Sequence, residues 1–420
     1  MKNNISIKFR DFIYGITLDE IILILIFYLS PFFDAITGFL VLNGIMSEGA
    51  LATPSQLGKF LTVFLLFIQI LKNGDKNTIC ITAFFSAYII ILEFIFCLYY
   101  KTPIYGLLYG FVQLYKVLYL ILCFFFLKKL LVKKQISAID LIKFIVKSAI
   151  NYSIILLVTT LLGINTSTYA SGTFGSKGVF ASGNGLSIYL GFSSFIAAFY
   201  YFNCNRTIKN LISFLLIWIC GTIVGTKASI VFLFINIIVI LFYSKTRYRI
   251  LILFFIVFSF TFLLDRFSTI FDVIIYRFNH ADNIYVFLAS GRDGYRDNAF
   301  KLYDTSGIKA MRIFFGSGAF VSFRTNLSDM KVFDTLERDL YDVFFMYGLN
   351  MLFIYLLFLV RYFFYGFLHN KKYFSIGFAC VAGYSLLAGH TLFNSMSGLG
   401  LVFFPLLIRF WNYDKKVNTY

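Results

Sequence analysis

From Ile21 to Leu42 the chain runs twenty-two residues with a single charge, Asp34, and apolar stretches like it recur to the end of the sequence. An α-helix needs roughly 20 such residues to cross the hydrocarbon core of a bilayer. On that ruler twelve spans are expected, at approximately 20–43, 57–71, 78–98, 103–127, 141–163, 184–202, 211–224, 228–243, 250–264, 343–365, 374–392 and 396–410. Lipid offers no hydrogen bonds, so every backbone N–H and C=O in a crossing must be paired within the protein, which favours helices. The expected fold is therefore an all-α polytopic membrane domain over residues 1–420. Composition agrees: charged residues are only 14% of the chain, and a soluble domain carries about 25%.

Lysine and arginine orient the spans, because short cytoplasmic links hold an excess of them. With the N-terminus inside, the links on its side hold 18, while the short outer links hold only Lys101, Lys177 and Lys227. Both termini are thus expected in the cytoplasm. Lys2, Lys8 and Arg10 before the first run resemble a signal peptide's start, but the run is too long for an h-region and contains Pro31 and Asp34. A retained first helix is expected. The net charge of +17 follows from this topology and from anionic lipid, with no nucleic acid implied. The six cysteines show no CxxC or Cys/His spacing and read as small buried hydrophobes.

One stretch breaks the pattern. Residues 265–342 contain no run long enough to cross a bilayer, yet hold eleven of the 20 carboxylates. The bias places this loop outside, and a loop this long in a compact protein is usually functional. Within it, Arg292 and Arg296 are four residues apart, so on a helix both guanidiniums leave one face. Two planar forks at that spacing suit a diphosphate. Interleaved Asp293, Asp297 and Lys301 allow a plain ion-pair helix instead. At the loop's end Glu337, Asp339 and Asp342 crowd the mouth of the next helix. Carboxylates stabilise a helix N-terminus, but three exceed what a cap needs. Crowding there would raise at least one pKa into the range of a general base.

Three further positions lie on the same expected side. The link over residues 168–184 carries four glycines and Lys177, and Lys227 sits at a membrane boundary in Gly225-Thr226-Lys227-Ala228. His390 is the one histidine inside an expected span, at its outer end. A flexible turn, a snorkelling lysine and a hydrogen-bonded core histidine would account for them without chemistry.

Taken together these residues resemble the bacterial O-antigen polymerase and O-antigen ligase superfamily. Gly172-Thr173-Phe174 with Asn184 looks like its Gly-x-Phe…Asn loop, and Gly225-Thr226-Lys227-Ala228 like its boundary motif. Ser290-Gly291-Arg292 followed by Phe315-Gly316-Ser317-Gly318 looks like its outer-loop signature. Glu337-x-Asp339-x-x-Asp342 with Tyr347-Gly348, and Gly389-His390, resemble features of the polymerase branch. The likeness covers roughly residues 140–400. The ligase-branch histidine after the large loop is absent, and Glu337 and Asp339 occupy its region, which favours polymerase. The arginine often found before Gly-x-Phe is absent too.

The resemblance implies a glycosyltransferase-C-like fold in the bacterial inner membrane, working without metal, cofactor or nucleotide sugar. Donor and acceptor would be undecaprenyl-diphosphate-linked oligosaccharides, with membrane lipid and a polysaccharide chain-length regulator as partners. Arg292, Arg296, Lys177 and Lys227 would hold the diphosphate, while Asn184, Asp342 and Tyr295 would contact sugar or acceptor. Glu337 or Asp339 would be the base, with His390 as a second group. A flippase, the competing class, should spread polar residues along the midplane of several helices; only Asp34, Glu93, Gln113 and Lys116 fit that description. Single cysteines introduced at Ser306 and Asn370 are expected to label from opposite faces of the membrane; labelling from one face would refute the topology.

Overall fold

The computed structural model describes residues 16–47, 52–101, 104–168, 175–243, 309–322, 336–387 and 389–411, with positions 275, 278, 279, 296, 297, 299 and 300. Among these, helix dominates and no strand forms. The long helices are α1 (Leu18–Leu42), α2 (Pro54–Asn73), α3 (Lys76–Tyr99), α4 (Ile104–Val132), α5 (Ala138–Leu161), α6 (Gly183–Phe199, running on to Cys204), α7 (Ile208–Val224) and α8 (Lys227–Tyr243). Short α9 (Lys309–Phe315) and α10 (Gly318–Val321) precede α11 (Asp339–Leu368), α12 (Lys372–Leu387) and α13 (Ser395–Phe410). Seven helices are long and apolar enough to cross a membrane, and three more apolar ones are shorter. This is a helical multi-pass membrane protein. Eleven of the twelve expected spans coincide with helices, and the one at 250–264 lies outside the described residues.

Sequence explains the helix ends. Thr17 with Glu20 and Ser137 with Asp140 form reciprocal caps at the starts of α1 and α5, each satisfying amides that the first helical turn leaves over. Within α1, Pro31 has no N–H to give and crowds the preceding turn. The helix widens there to a π-turn over Leu25–Leu29.

The chain forms two compact units. The first comprises residues Met1–Lys59, Leu130–His280 and Phe410–Tyr420. Its centre is α6, whose residues from Gly185 to Phe199 are all buried, packed by α5, α7 and α8. Buried Asn236 of α8 donates from Nδ2 to Ser194 Oγ at 2.9 Å, one polar tie inside this apolar contact. A second tie is stronger. Asp34 of α1 is buried, and its Oδ1 takes Lys59 Nζ at 2.8 Å and the Ser55 hydroxyl from α2. Its Oδ2 takes Tyr152 OH of α5 at 2.6 Å. Both oxygens are bonded, as a buried carboxylate requires. Beside this network α1 runs close to the link after α5: a Cβ on Gly38 would overlap the Val179 carbonyl oxygen.

The second unit comprises Phe60–Lys129 and Ala281–Arg409. There α11 packs against α12 and α9, and α10 wedges against α3 and α11. Gly106 and Gly110 lie one turn apart on α4, the small-xxx-small spacing that lets helices approach closely in lipid. A Cβ on Gly106 would strike the Phe320 ring of α10, and one on Gly110 the Glu93 carboxylate of α3.

The Asp34–Lys59 pair makes a testable statement about the first unit. Breaking it from one side strands a charge, so Asp34→Leu or Lys59→Met alone should cost about 3–5 kcal/mol. The double replacement should cost far less, because no charge is left behind. Melting in detergent reads this; singles as mild as the double would mean the pair is not desolvated together.

Candidate functional site

The expected site residues fall into the two units. In the first, the link after α5 folds back on itself: Thr166 N donates to Gly178 O, Lys177 N to Thr166 O, and Thr168 N to Gly175 O. Its free donors then serve α7, whose last carbonyls have no partners of their own. Ser176 N donates to Ile223 O at 2.9 Å and Thr168 Oγ1 to Val224 O at 2.6 Å. α7 ends at Gly225 in the left-handed region, and α8 begins at Lys227, with Thr226 Oγ1 accepting Ser229 N. The described part of this link, at Thr168 and Ser176, therefore meets the end of α7 just before Gly225. Lys177 Nζ donates to Ala181 O at 3.0 Å, and Asn184 stands exposed in the first turn of α6. Gly172, Thr173 and Phe174 lie outside the described residues.

The second unit holds the titratable cluster. Asp339 and Asp342 open α11 and are fully buried. His390 lies in the segment between α12 and α13, not within a helix as expected from sequence, because α12 ends at Leu387. The reason is local. Asp339 Oδ2 takes the Thr391 and Leu392 amides at 2.9 and 2.8 Å and the Ser385 hydroxyl at 2.6 Å. The carboxylate thus replaces the acceptors that a continued helix would have supplied. Ser385 is itself bonded to Tyr355 OH. Asp342 Oδ1 accepts Leu336 N at 2.7 Å and its Oδ2 accepts Arg338 N at 3.2 Å, closing the turn before α11. Glu337 sits in that turn at φ 57°, a left-handed value unusual for a side chain of its type.

His390 Nδ1 lies 3.3 Å from Asp342 Oδ2, and the imidazole is partly exposed while the carboxylate is not. Burial pulls the imidazole pKa down, but the hydrogen bond and charge of Asp342, with Asp339 and Glu337 behind it, outweigh this and raise it. Asp339, Asp342 and His390 each bring a ligand atom within 4.8 Å of the others, so a divalent ion could be held here. The donors already aimed at these carboxylates compete for the same lone pairs, and Asp339 Oδ1 alone among the four oxygens takes none.

Of Arg292 and Arg296, only the second is among the described residues. Arg296 contacts its neighbour Asp297 through Nε and Nη2 at 2.9 and 2.8 Å, a pair between adjacent residues and not the one-turn spacing of an ion-pair helix. Arg292 and Tyr295 lie outside the described residues. Sequence reasoning passed over two buried arginines, Arg312 and Arg338. Arg312 Nε donates to Ser317 Oγ at 2.6 Å, and Arg338 lies over the Tyr341 ring. Their position beside the Gly-Ser-Gly turn and the acidic trio was the available signal.

No protein-family model and no curated protein matches the chain.

The His390–Asp342 contact fixes a sign. A carboxylate favours imidazolium, so Asp342→Asn should let the proton leave at lower pH. With His280 and His369 replaced by Gln, acylation by diethyl pyrocarbonate reports neutral His390 alone. The midpoint should lie above the ordinary value of ~6.5 and fall by about 1 unit in Asp342→Asn. An unmoved midpoint would mean the two groups do not interact.

Proposed function

We propose that the protein is a membrane glycosyltransferase of the O-antigen polymerase type, transferring a glycan from an undecaprenyl-diphosphate donor to a lipid-linked acceptor at the outer membrane face. The observation that carries this reading is an imidazole at a helix mouth with a buried carboxylate behind one ring nitrogen. Nδ1 faces Asp342, and Nε2 is the nitrogen assigned to an acceptor hydroxyl. The transfer needs a base of that kind.

The steps follow from the groups in place. His390 Nε2 takes the hydroxyl proton, and the oxygen forms its bond to the anomeric carbon. The bond from that carbon to the diphosphate oxygen breaks, and the electron pair leaves with the lipid diphosphate. Asp342 steadies the imidazolium formed. Lys177, Lys227, Arg292 and Arg296 are the groups assigned to the departing charge, and Asn184 and Tyr295 to the sugar. The hydrogen bonding shifts preference among the base candidates. Asp339 Oδ2 is committed to three donors, so Asp339 holds the segment carrying His390, and the imidazole that segment presents is the base candidate.

The polar residues that a flippase would place along its path are each engaged locally. Asp34 is bonded to Lys59 and Tyr152, Lys116 donates to Gln113, and Glu93 accepts the Ala319 amide. That pattern supports an enzyme over a transporter.

Purified protein given a synthetic lipid-linked repeat unit should build a ladder on a gel. His390→Ala should slow it by about 100- to 10,000-fold. Arg292→Lys should resemble Arg292→Ala, each down on the order of 100-fold, because lysine cannot form the fork. Full laddering by His390→Ala, with loss in Glu337→Gln, would return the base to the carboxylates; transfer to a lipid A core and not to a second repeat unit would make the protein a ligase.

A further inference from the structure

Glu93 is buried in α3, six residues before its end, and serves neither the ion pair nor the base described above. Its Oε1 accepts the Ala319 amide, and the Phe320 amide is also turned to it. The donors follow directly on a turn where Gly316 and Gly318 take φ of 85° and 74° on either side of Ser317. Alternating backbone of this kind turns successive N–H groups into one concavity, a cradle for anions. Here the chain's own carboxylate fills it. Glu93 Oε2 has no hydrogen-bond partner among the described residues, and a Cβ on Gly318 or Gly110 would overlap the carboxylate. The glycines are there so that it can fit.

The same turn is locked to α11. Gly348 interrupts that helix at φ 77°, ψ 179°, and the carbonyls before it need donors from elsewhere. Phe345 O receives Ser317 N at 3.1 Å and Ser322 Oγ at 2.8 Å. Tyr347 O lies 3.1 Å from Tyr88 OH, which shares its proton with Phe315 O. Backbone meets backbone without side chains between: a Cβ at Gly316 would overlap the Met346 carbonyl, and one at Gly348 the Phe314 carbonyl. Phe345 is one turn past Asp342.

We propose that Glu93 is a positioning residue for the His390–Asp342 pair, a buried hydrogen-bond acceptor that fixes the Gly316–Gly318 turn and, through the Gly348 kink, the placement of Asp342. The glycine turn then grips α3 and is not where the substrate's diphosphate binds. Its catalytic consequence rests on the transferase reading; its effect on His390 does not.

A displacement near 1 Å at a reacting group costs on the order of 100-fold. Glu93→Met should therefore lower turnover in the laddering assay by about 10- to 100-fold. KM for the lipid-linked glycan should stay within about threefold, because the change is remote from the groups that bind it. Glu93→Gln keeps an acceptor for Ala319 N and should recover most of the rate. In the single-histidine background, Glu93→Met should move the His390 acylation midpoint toward its ordinary value by about 0.5 unit or more as Asp342 draws away, with Asp339 and Glu337 unchanged in sequence. Tyr88→Phe should move both readings the same way by less, and it stands in if Glu93→Met does not accumulate. A lower melting point with unmoved turnover and midpoint would reduce Glu93 to a structural cap and overturn the proposal. A moved midpoint in a protein that transfers no glycan at all would instead sink the transferase reading and leave the positioning role standing.

Discussion

A helix that breaks inside a membrane must find hydrogen-bond partners for the carbonyls it frees, because lipid supplies none. In the second unit this requirement falls on α11 at Gly348. It is met by Ser317, Ser322 and Tyr88, which take up Phe345 O and Tyr347 O. Those donors are where they are because the turn between α9 and α10 collapses onto the kink through paired glycines, and because Glu93 holds that turn from the other side. The short helical segment between Asp339 and Tyr347 is thus fixed at both ends: by the glycine turn at one, and at the other by Asp339 reaching the Thr391 and Leu392 amides and Asp342 closing the Leu336–Arg338 turn. The imidazole of His390 is carried on the segment that Asp339 secures.

The two acidic residues divide the work by what their oxygens touch. Asp339 contributes stability by accepting: three donors converge on one of its oxygens, and removing it would leave the Thr391 and Leu392 amides without that acceptor. Asp342 is shared between the backbone and His390, so its charge is available to the ring.

The first unit solves a different problem. A charge in α1 is buried among helices, and Lys59, Ser55 and Tyr152 answer it from α2 and α5. The close pass of Gly38 over Val179 joins this tie to the link that bears Lys177. That link in turn caps the last carbonyls of α7, just before α8 opens at Lys227.

Read alone, the sequence determined the helical membrane class, because apolar runs of bilayer length admit few other folds, and it placed eleven helices to within a few residues. It also singled out Asp339, Asp342 and His390, since ionisable groups next to apolar spans stand out by their cost. Only the tertiary structure decided what those groups do. Sequence spacing cannot say that Asp339 would unwind the end of α12, because the two lie about fifty residues apart and the bond depends on how α11 and α12 pack. Nor could it show that Glu93 belongs to the Gly316–Gly318 turn, 226 residues away, although Gly106 and Gly110 at helical spacing were a legible sign that something packs closely there. Local chemistry is written in neighbouring residues; which distant carbonyl a donor reaches is set by the packing of helices, and that is a property of the folded chain.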